Sequence, residues 1–426
     1  MYLDEVVAAQ KRGEAKGIPS ICSAHPHVIQ QTLKVSKTFR VSPLIEATCN
    51  QVNQFGGYTG MTPKDFVAYM RGIAKENNFP FENIILGGDH LGPNVWQSEP
   101  AESAMEKSKA MVRDYVKAGF VKIHLDCSMR LADDRQGALD SEIIARRAAQ
   151  LAKVAEESLS RREPPSGMIR GRGEGGLRYV IGTEVPIPGG ATEHEEGVRM
   201  TKVEDASQTI EVTREAFMRD GLESAWERVI AVVVQPGVEF GDDFVLEYQP
   251  ETAQALSKFI ERQSMIYEAH STDYQTRDAL ANLVRDHFAI LKVGPALTFA
   301  FREAVFALAM IENELIAKDR RSNMIQVLDD VMMKHPEYWK KYYRGDESDQ
   351  AFKRKYSLSD RARYYWVQPE VRYAFERLMK NHGDRVLPYS LLSQFVGETN
   401  LNAAQVVEWK ISRVLNDYLG ACGDNE

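Results

Sequence analysis

The sequence of 426 residues has no run of about 18 apolar residues, which is the length that a membrane-spanning helix requires. Residues 1–5 are neither basic nor apolar enough to begin a signal peptide. These two absences argue against a membrane protein and against export. We therefore expect a soluble, cytoplasmic protein that does not associate with a membrane.

Cysteine is also scarce. The four cysteines, Cys22, Cys49, Cys127 and Cys422, lie far apart, and no two form a CxxC pair. Closely spaced cysteines are needed for a disulfide framework or a thiolate zinc site, so neither is expected here. A reducing compartment such as the cytoplasm fits this composition best.

An excess of basic charge is absent as well. Lysine and arginine number 53 against 61 aspartates and glutamates, giving a net charge of −8, and the sequence has no basic tail or stripe. A surface that binds nucleic acid needs concentrated positive charge. Nucleic acid is therefore not an expected partner.

The sequence contains no recognisable nucleotide-binding loop. Residues 161–176 are rich in arginine, proline and glycine, a composition typical of an exposed connection. The glycines of this segment lack the spacing of a P-loop, and the segment does not join a strand to a helix. We assign it no phosphate-binding role.

What the sequence does contain is a repeated pattern: a short apolar run, then polar residues, then glycine or proline, then a helical periodicity. Apolar runs without alternation are typical of strands that are buried on both faces. Eight such runs occur, at residues 18–24, 44–48, 84–93, 121–127, 179–184, 229–234, 265–273 and 289–295. This pattern predicts the α/β class and a TIM (β/α)8 barrel. A doubly wound open sheet is the alternative, but it would require a glycine-rich turn after the first strand, where none occurs.

The strand pattern ends near residue 316. Residues 298–316 form an amphipathic pattern that predicts the helix closing the barrel, and helical patterns follow at 323–334, 370–381 and 403–419. We predict a barrel at residues 1–316 that carries the site, and a helical C-terminal extension at 317–426. Two aromatic and basic runs, 338–344 and 361–366, could cap the barrel mouth or bind an anionic substrate. We favour an interface between subunits or domains for these runs.

Polar side chains stand at or near the predicted C-terminal ends of the strands. Because these ends converge on one mouth in a barrel, we expect the side chains to lie close together. They are Glu46, Asp89, His90, His124, Asp126, Glu184, Gln235, His270, Asp273 and Lys292. Imidazole and carboxylate groups are ligands for divalent zinc, manganese or cobalt. We predict a metal site of His90, Glu184 and His270, which Asp126 and Gln235 could complete or orient.

Two of these residues have alternative roles. Asp89 should project to the opposite side of an extended strand from His90, but at a frayed strand end it could turn inward and act as a general base. Lys292 could form a Schiff base, as in metal-free aldolases. With a metal site predicted, we favour an ion pair of Lys292 with a carboxylate or a contact with a substrate oxygen.

The loop at residues 49–58 is rich in amides and includes Asn53. Asparagine and glutamine provide uncharged donors and acceptors, as sugar hydroxyls require. The alternative is a loop that forms hydrogen bonds only within itself.

Several segments resemble the signature blocks of the GatZ/KbaZ family, whose members are described as the non-catalytic subunit of class II D-tagatose-1,6-bisphosphate aldolase. The blocks are residues 51–60, 87–94, 122–126, 182–186, 235–240, 268–275 and 291–296. The resemblance implies a TIM barrel related to the catalytic class II aldolases, with Asp89 as the acid/base residue and His90 and His270 as metal ligands. The residues that we expect to contact substrate are Glu46, Asn53, His124, Asp126, Gln235, Ser271, Asp273 and Lys292.

The third histidine of the catalytic relatives, at the end of the sixth strand, is missing, and Gln235 or Pro236 stands near its position. The resemblance therefore implies an oligomer in which a catalytic class II aldolase subunit could be the partner. It equally allows a metal-dependent C4-epimerase that converts fructose and tagatose on its own, in which Asp89 and Glu184 would be the catalytic residues that transfer protons. In both cases the expected ligand is a ketohexose or its phosphate. Members of the family have also been labelled tagatose-6-phosphate kinases, but the missing nucleotide motif does not support that activity.

Overall fold

A computed structural model describes residues 1–160, 176–182 and 200–423 of the chain. Within them, eight parallel strands form a closed barrel in the order β1-β8-β7-β6-β5-β4-β3-β2, which confirms the predicted TIM barrel. The strands are β1 Ile18–Ile21, β2 Leu44–Thr48, β3 Ile85–Leu91, β4 Lys122–Leu125, β5 Arg178–Ile181, β6 Val229–Val234, β7 Ile266–Ala269 and β8 Phe288–Val293. All strand residues except Thr48 are buried, because the outer helices cover one face and the barrel interior the other.

Helices alternate with the strands and continue after the last one. The first group is α1 Tyr2–Lys11, α2 Pro26–Phe39, α3 Pro63–Glu76, α4 Ala101–Ala118, α5 Ser141–Ser160, α6 Val203–Arg219, α7 Glu223–Trp226, α8 Pro250–Ile260 and α9 Arg277–Arg285. The second group is α10 Pro295–Leu315, α11 Met324–Lys334, α12 Glu347–Tyr356, α13 Pro369–His382, α14 Tyr389–Phe395 and α15 Ala403–Ala421. A short antiparallel hairpin, Glu239–Phe240 with Val245–Leu246, follows β6. Among the described residues, no helix is long and apolar enough to span a bilayer.

The C-terminal helix α15 lies within the ring of helices around the barrel. It packs against α2, α9 and α10 and contacts β1. The backbone N–H of Gly17 also donates to the carbonyl of Cys422, with 2.9 Å between nitrogen and oxygen. The ring is therefore closed between its last and first helices by α15. This differs from the expectation that the helix at 298–316 closes the barrel.

Helix α10, which corresponds to that predicted closing helix, lies between α15 on one side and α11, α13 and α14 on the other. Its buried residues cover most of its circumference, and a helix that is apolar all round packs on more than one side. The division of the chain at residue 316 stays a prediction, but the packing of α15 makes the last helix part of the barrel wall.

We expect replacement of Leu415 in α15 by alanine to destabilise the whole barrel. Leu415 is 1% exposed, and loss of a buried leucine side chain costs about 2–5 kcal/mol. The matched control is Leu315→Ala, since Leu315 is 36% exposed at the end of α10 and should cost within about 0.5 kcal/mol. The free energy of unfolding would be measured by urea denaturation. A separate, early transition of the C-terminal helices in Leu415→Ala, with an unchanged barrel transition, would contradict this expectation.

Candidate functional site

A cavity of about 740 Å³ opens at the C-terminal ends of the strands. Its polar wall includes Asp89, His90, His270, Ser271, Asp273 and Lys292. The lining also includes side chains from beyond residue 316, among them Arg363, Tyr364 and Trp366. The second aromatic and basic run of the sequence therefore lines the barrel mouth. This position supports the capping alternative, and the interface interpretation of the two runs stays a prediction.

Asp89 and His90 both line this cavity although they are consecutive residues of β3. Consecutive side chains of a regular strand point to opposite faces. Here His90 has a φ of +50°, in the left-handed region, and the register between β3 and β4 shifts between Gly88 and Leu91. The irregular backbone thus breaks the alternation and brings the carboxylate and the imidazole to the same side.

Three imidazoles meet at this end of the barrel, and two of them, those of His90 and His270, line the cavity. The ring centroid of His90 lies 5.0 Å from that of His124 and 5.0 Å from that of His270, and the last two are 5.3 Å apart. One potential ligand atom from each histidine and one from Asp89 all lie within 4.8 Å of one another. The sequence placed His90 and His270 in a metal site and His124 in the substrate site, and the structure brings all three together.

Each imidazole has a carboxylate beside one ring nitrogen. The distance is 2.7 Å from His90 Nδ1 to Asp126 Oδ2, 2.8 Å from His124 Nδ1 to Asp89 Oδ1, and 3.0 Å from His270 Nε2 to Glu268 Oε1. Carboxylates in this position fix the orientation of an imidazole so that its other nitrogen can bind a metal ion. His124 Nε2 is buried without a hydrogen-bond partner among the described residues.

The protonation states of Asp126 and His270 suit this arrangement. Burial lowers the pKa of His90, but Asp89 and Asp126 outweigh burial and raise it, so a metal ion at His90 would have to displace a proton. Burial alone would raise the pKa of Asp126, but the hydrogen bond and charge of His90 outweigh it and lower the pKa to about 2. Burial lowers the pKa of His270 to about 4, against the opposing effect of Glu268. Asp126 is therefore an anion and His270 a neutral imidazole at neutral pH, which are the forms that orient and bind a metal.

Beneath the histidines, the barrel interior contains a network of buried charges. Lys122 Nζ lies 2.5 Å from Glu46 Oε1 and 2.5 Å from Glu268 Oε2. Lys292 Nζ pairs with Glu46 and lies 2.8 Å from Asp89 Oδ1. Gly87 permits the close packing, because a Cβ atom there would lie 2.6 Å from the Glu46 side chain.

Lys292 is a cation in this network. Burial opposes its charge, but Asp89, Glu46 and Glu268 outweigh burial and raise the pKa of Lys292 well above its ordinary value. A protonated amine is not a nucleophile, so the geometry favours the ion-pair role of Lys292 over a Schiff base.

The buried charges of the site do not balance. Four carboxylates, those of Glu46, Asp89, Asp126 and Glu268, face only two ammonium groups, those of Lys122 and Lys292. Uncompensated buried charge is costly, so these carboxylates favour a cation or a bound proton among the imidazoles. A divalent cation among the three histidines and Asp89 would supply positive charge there, so the residues present fit such an ion.

Two members of the network, Lys122 and Glu268, were not among the site residues predicted from the sequence. Both residues could have been identified from the alternation of side chains along a strand. Lys122, His124 and Asp126 are spaced by two, as are Glu268 and His270, so each set shares one face of a strand. Both are ionisable residues inside apolar strands and share a strand face with predicted site residues. That combination could have identified them as part of the site.

Asn53 and Gln235 are not among the residues that line the cavity. The Asn53 side chain donates to the carbonyl of Cys49 and accepts from the N–H groups of Phe55 and Gly57, so its amide serves its own loop. The Gln235 side-chain oxygen accepts from the N–H of Gly237. Their substrate-binding roles stay predictions without support from these contacts.

Glu184, predicted as a metal ligand and catalytic residue, lies outside the described residues, as do residues 161–175 of the glycine-rich connection. Nothing in the structure bears on the predicted roles of either.

Asp273 and Ser271 follow β7 at the rim of the site. Asp273 Oδ1 accepts hydrogen bonds from the N–H groups of Gly294, at 3.0 Å, and Ala296, at 2.8 Å. Burial raises the pKa of Asp273 to about 6, despite these backbone donors. Ser271 has a φ of +53°, and lines the cavity next to His270. The Asp273 carboxylate thus occupies the N-terminus of α10.

Residues 3–423 match the model of one protein family, described as D-tagatose-1,6-bisphosphate aldolase subunit GatZ/KbaZ-like. The chain belongs to this family. The chain is also 51% identical, over 429 residues, to a D-tagatose-1,6-bisphosphate aldolase subunit GatZ from Klebsiella pneumoniae, with 99% of each chain covered. A protein of the same name from Salmonella heidelberg is 54% identical over 394 residues, covering 92% of this chain and 90% of that protein. The resemblance noted in the sequence is confirmed.

Solved structures share the fold of this family member. The crystal structure of a probable tagatose 6 phosphate kinase from Sinorhizobium meliloti 1021 has a TM-score of 0.86 and 44% identity, covering 96% of this chain and 100% of that one. The fructuronate-tagaturonate epimerase UxaE from Cohnella laeviribosi has a TM-score of 0.54 at 11% identity, covering 96% and 82%. At that identity the likeness shows the fold alone.

We expect Lys122→Met to destabilise the protein by about 3–5 kcal/mol, because it leaves Glu46 and Glu268 buried without a compensating charge. The matched control is Lys107→Met. Lys107 also lies 2.5 Å from a glutamate, Glu99, but at the surface, where loss of the pair costs about 1 kcal/mol or less. Urea denaturation of both variants gives the free energies of unfolding. Equal losses of unfolding free energy in the two variants would show that the buried ion pairs contribute no more to stability than the surface pair.

Proposed function

We propose that this chain is a cytoplasmic tagatose-bisphosphate aldolase subunit-type protein of tagatose and galactitol metabolism, whose barrel mouth binds a divalent metal ion and a ketohexose or ketohexose phosphate. The observation that carries the proposal is the set of three imidazoles and Asp89 beside a network in which four buried carboxylates face two ammonium groups. A subunit that only supported a partner would have no need of this costly arrangement.

His90 and His270 are the proposed metal ligands, and His124 and Asp89 are within reach of the same ion. Glu184 keeps its proposed role as a further ligand or acid. Zinc, manganese and cobalt all suit imidazole and carboxylate donors. When bound, such an ion acts as a Lewis acid toward the oxygens of a ketose.

The remaining residues orient the proposed metal ligands and determine the charge of Asp89. Asp126 and Glu268 orient His90 and His270 through the hydrogen bonds described above. Burial disfavours the charge of Asp89, but His90, Lys292 and His124 lower its pKa well below the usual range. Asp89 is thus an ionised carboxylate in the cavity, the form in which it can accept a proton from a substrate.

The names of the relatives support a role within an aldolase complex. Both similar proteins are called aldolase subunits. In this chain the end of β6 carries Gln235, whose side chain serves its own turn, where the catalytic relatives are expected to have a histidine. We therefore propose an oligomer with a catalytic class II aldolase subunit.

A second candidate is a metal-dependent C4-epimerase that converts fructose and tagatose without a partner. The specific observation in its favour is His124. It provides a third imidazole from β4, 5.0 Å from His90 and 5.3 Å from His270, so three histidines converge without a contribution from β6.

We expect the chelator-treated protein to bind one divalent ion per chain, and Asp126→Asn to weaken this binding by about 10- to 100-fold, because the amide orients His90 less well. Asp319→Asn is the matched control, since Asp319 is exposed and far from the cavity lining. Isothermal titration calorimetry with zinc, manganese and cobalt salts measures the affinities. Equal affinities of Asp126→Asn and the wild type would count against a site at His90.

For activity, we expect the metal-loaded protein alone to act on fructose, tagatose or tagatose bisphosphate, and EDTA to abolish this turnover. Asp89→Asn should lower kcat by at least about 100-fold because it removes the proton acceptor, whereas Asp319→Asn should not. Sugar products would be followed by chromatography. If turnover never occurs without a catalytic aldolase subunit, and neither EDTA pretreatment nor Asp89→Asn in this chain alters the assembled complex, the chain is a scaffold and the proposal is wrong.

A further inference from the structure

The usual place for a substrate phosphate is occupied in this barrel. In many TIM barrels a phosphate binds near the last strands, where the N–H groups at a helix N-terminus point at it. Here the N–H groups of Gly294 and Ala296, at the start of α10, already donate to the Asp273 carboxylate. A phosphorylated ligand would therefore need its anion site elsewhere in the cavity.

The cavity offers few cations for this purpose. Lys292 is committed to Glu46 and Asp89. Arg372 is exposed on α13, where solvent screens its charge. Among the described lysines and arginines of the lining, Arg363 remains, and it is contributed by the short 3₁₀ helix Arg361–Tyr364, beyond the barrel strands.

The Arg363 side chain is held by two hydrogen bonds, but some of its N–H groups have no acceptor in the described part of the chain. Its Nη1 donates to the Asp360 carbonyl at 3.0 Å and its Nη2 to the Tyr364 hydroxyl at 3.0 Å, while its guanidinium carbon lies 4.7 Å from the Tyr364 ring centroid. A guanidinium has five N–H groups, so three have no acceptor among the described residues. Arg363 forms no salt bridge with a carboxylate of those residues, although its charge acts on the Asp273 carboxylate of the same cavity and opposes the burial that raises the pKa of Asp273.

The segment that carries Arg363 is attached to the barrel by a buried ion pair. Arg302 of α10 lies 3.0 Å from the carboxylate of Asp360, and both side chains are almost fully buried. The same Asp360 holds Arg363 through its carbonyl. A planar donor group that is held rigid before the ligand arrives loses little entropy on binding, which is the property of a good phosphate anchor.

We infer that Arg363 binds a phosphate group of a phosphorylated ketohexose, whose sugar oxygens face the histidine cluster in the same cavity. The inference rests on the proposed function and specifies its substrate class: sugar phosphates in preference to free sugars. Arg363 is then a specificity residue that the C-terminal part of the chain supplies to a site built by the barrel.

The test compares binding of D-tagatose 1,6-bisphosphate, D-tagatose and inorganic phosphate to the full-length, metal-loaded protein by isothermal titration calorimetry. In Arg363→Gln we expect the Kd for the bisphosphate to rise by about 10- to 100-fold, because charge-assisted hydrogen bonds are lost. The affinities for free tagatose and for the metal should not change. Arg363→Lys keeps the charge without the planar fork, so an intermediate loss is expected, and this variant serves if Arg363→Gln does not fold.

The matched control is Arg377→Gln. Arg377 lies on α13 outside the cavity lining, and its guanidinium donates to the carbonyls of Asp319 and Arg320. The Arg377→Gln variant should bind all three ligands with the affinities of the wild type. Unchanged bisphosphate affinity in both Arg363 variants, or an equal loss for free tagatose, would overturn the inference while leaving the proposed function intact. A wild-type protein that binds neither sugar would overturn both.

Discussion

The structure depends on an ammonium group held between two carboxylates inside the barrel. Lys122 on β4 contacts Glu46 on β2 and Glu268 on β7, strands that are not neighbours, so the contact joins separate parts of the wall. Because none of these ions could be buried alone without a large cost, they must assemble together. Lys292 extends the network from Glu46 to Asp89, and so connects the interior to the cavity. The same network places more carboxylates than ammonium groups next to the cavity.

Most of the fold could be predicted from the sequence because the physical signal is local. Each apolar run of four to seven residues is long enough to cross the barrel once and is buried on both faces, so its composition alone identifies it as a strand. The position of α15 could not be predicted in this way. Its amphipathic pattern indicates a helix, but which partner covers its apolar face is decided by α2 and α9, whose sequences lie far from it in the chain.

The sequence predicts those parts of the site whose positions follow from the C-terminal ends of the strands. His90, His270 and Lys292 meet because parallel strands end at one rim. The joint inward placement of Asp89 and His90 depends on a left-handed backbone at a non-glycine residue, for which the sequence gives no clear signal. The contribution of Arg363 depends on contacts between distant segments, chiefly the ion pair of Arg302 with Asp360, and such contacts leave no periodicity to detect.

The position of α15 also has a consequence for biosynthesis. A ribosome delivers α2 long before α15, yet α15 lies against α2 and the Cys422 carbonyl accepts a hydrogen bond from Gly17. Until α15 is translated, the nascent chain exposes the apolar surfaces of α2 and α9 that α15 will cover, and such surfaces attract chaperones or other unfolded chains. A chain that stopped before α15 would therefore form an open, aggregation-prone barrel.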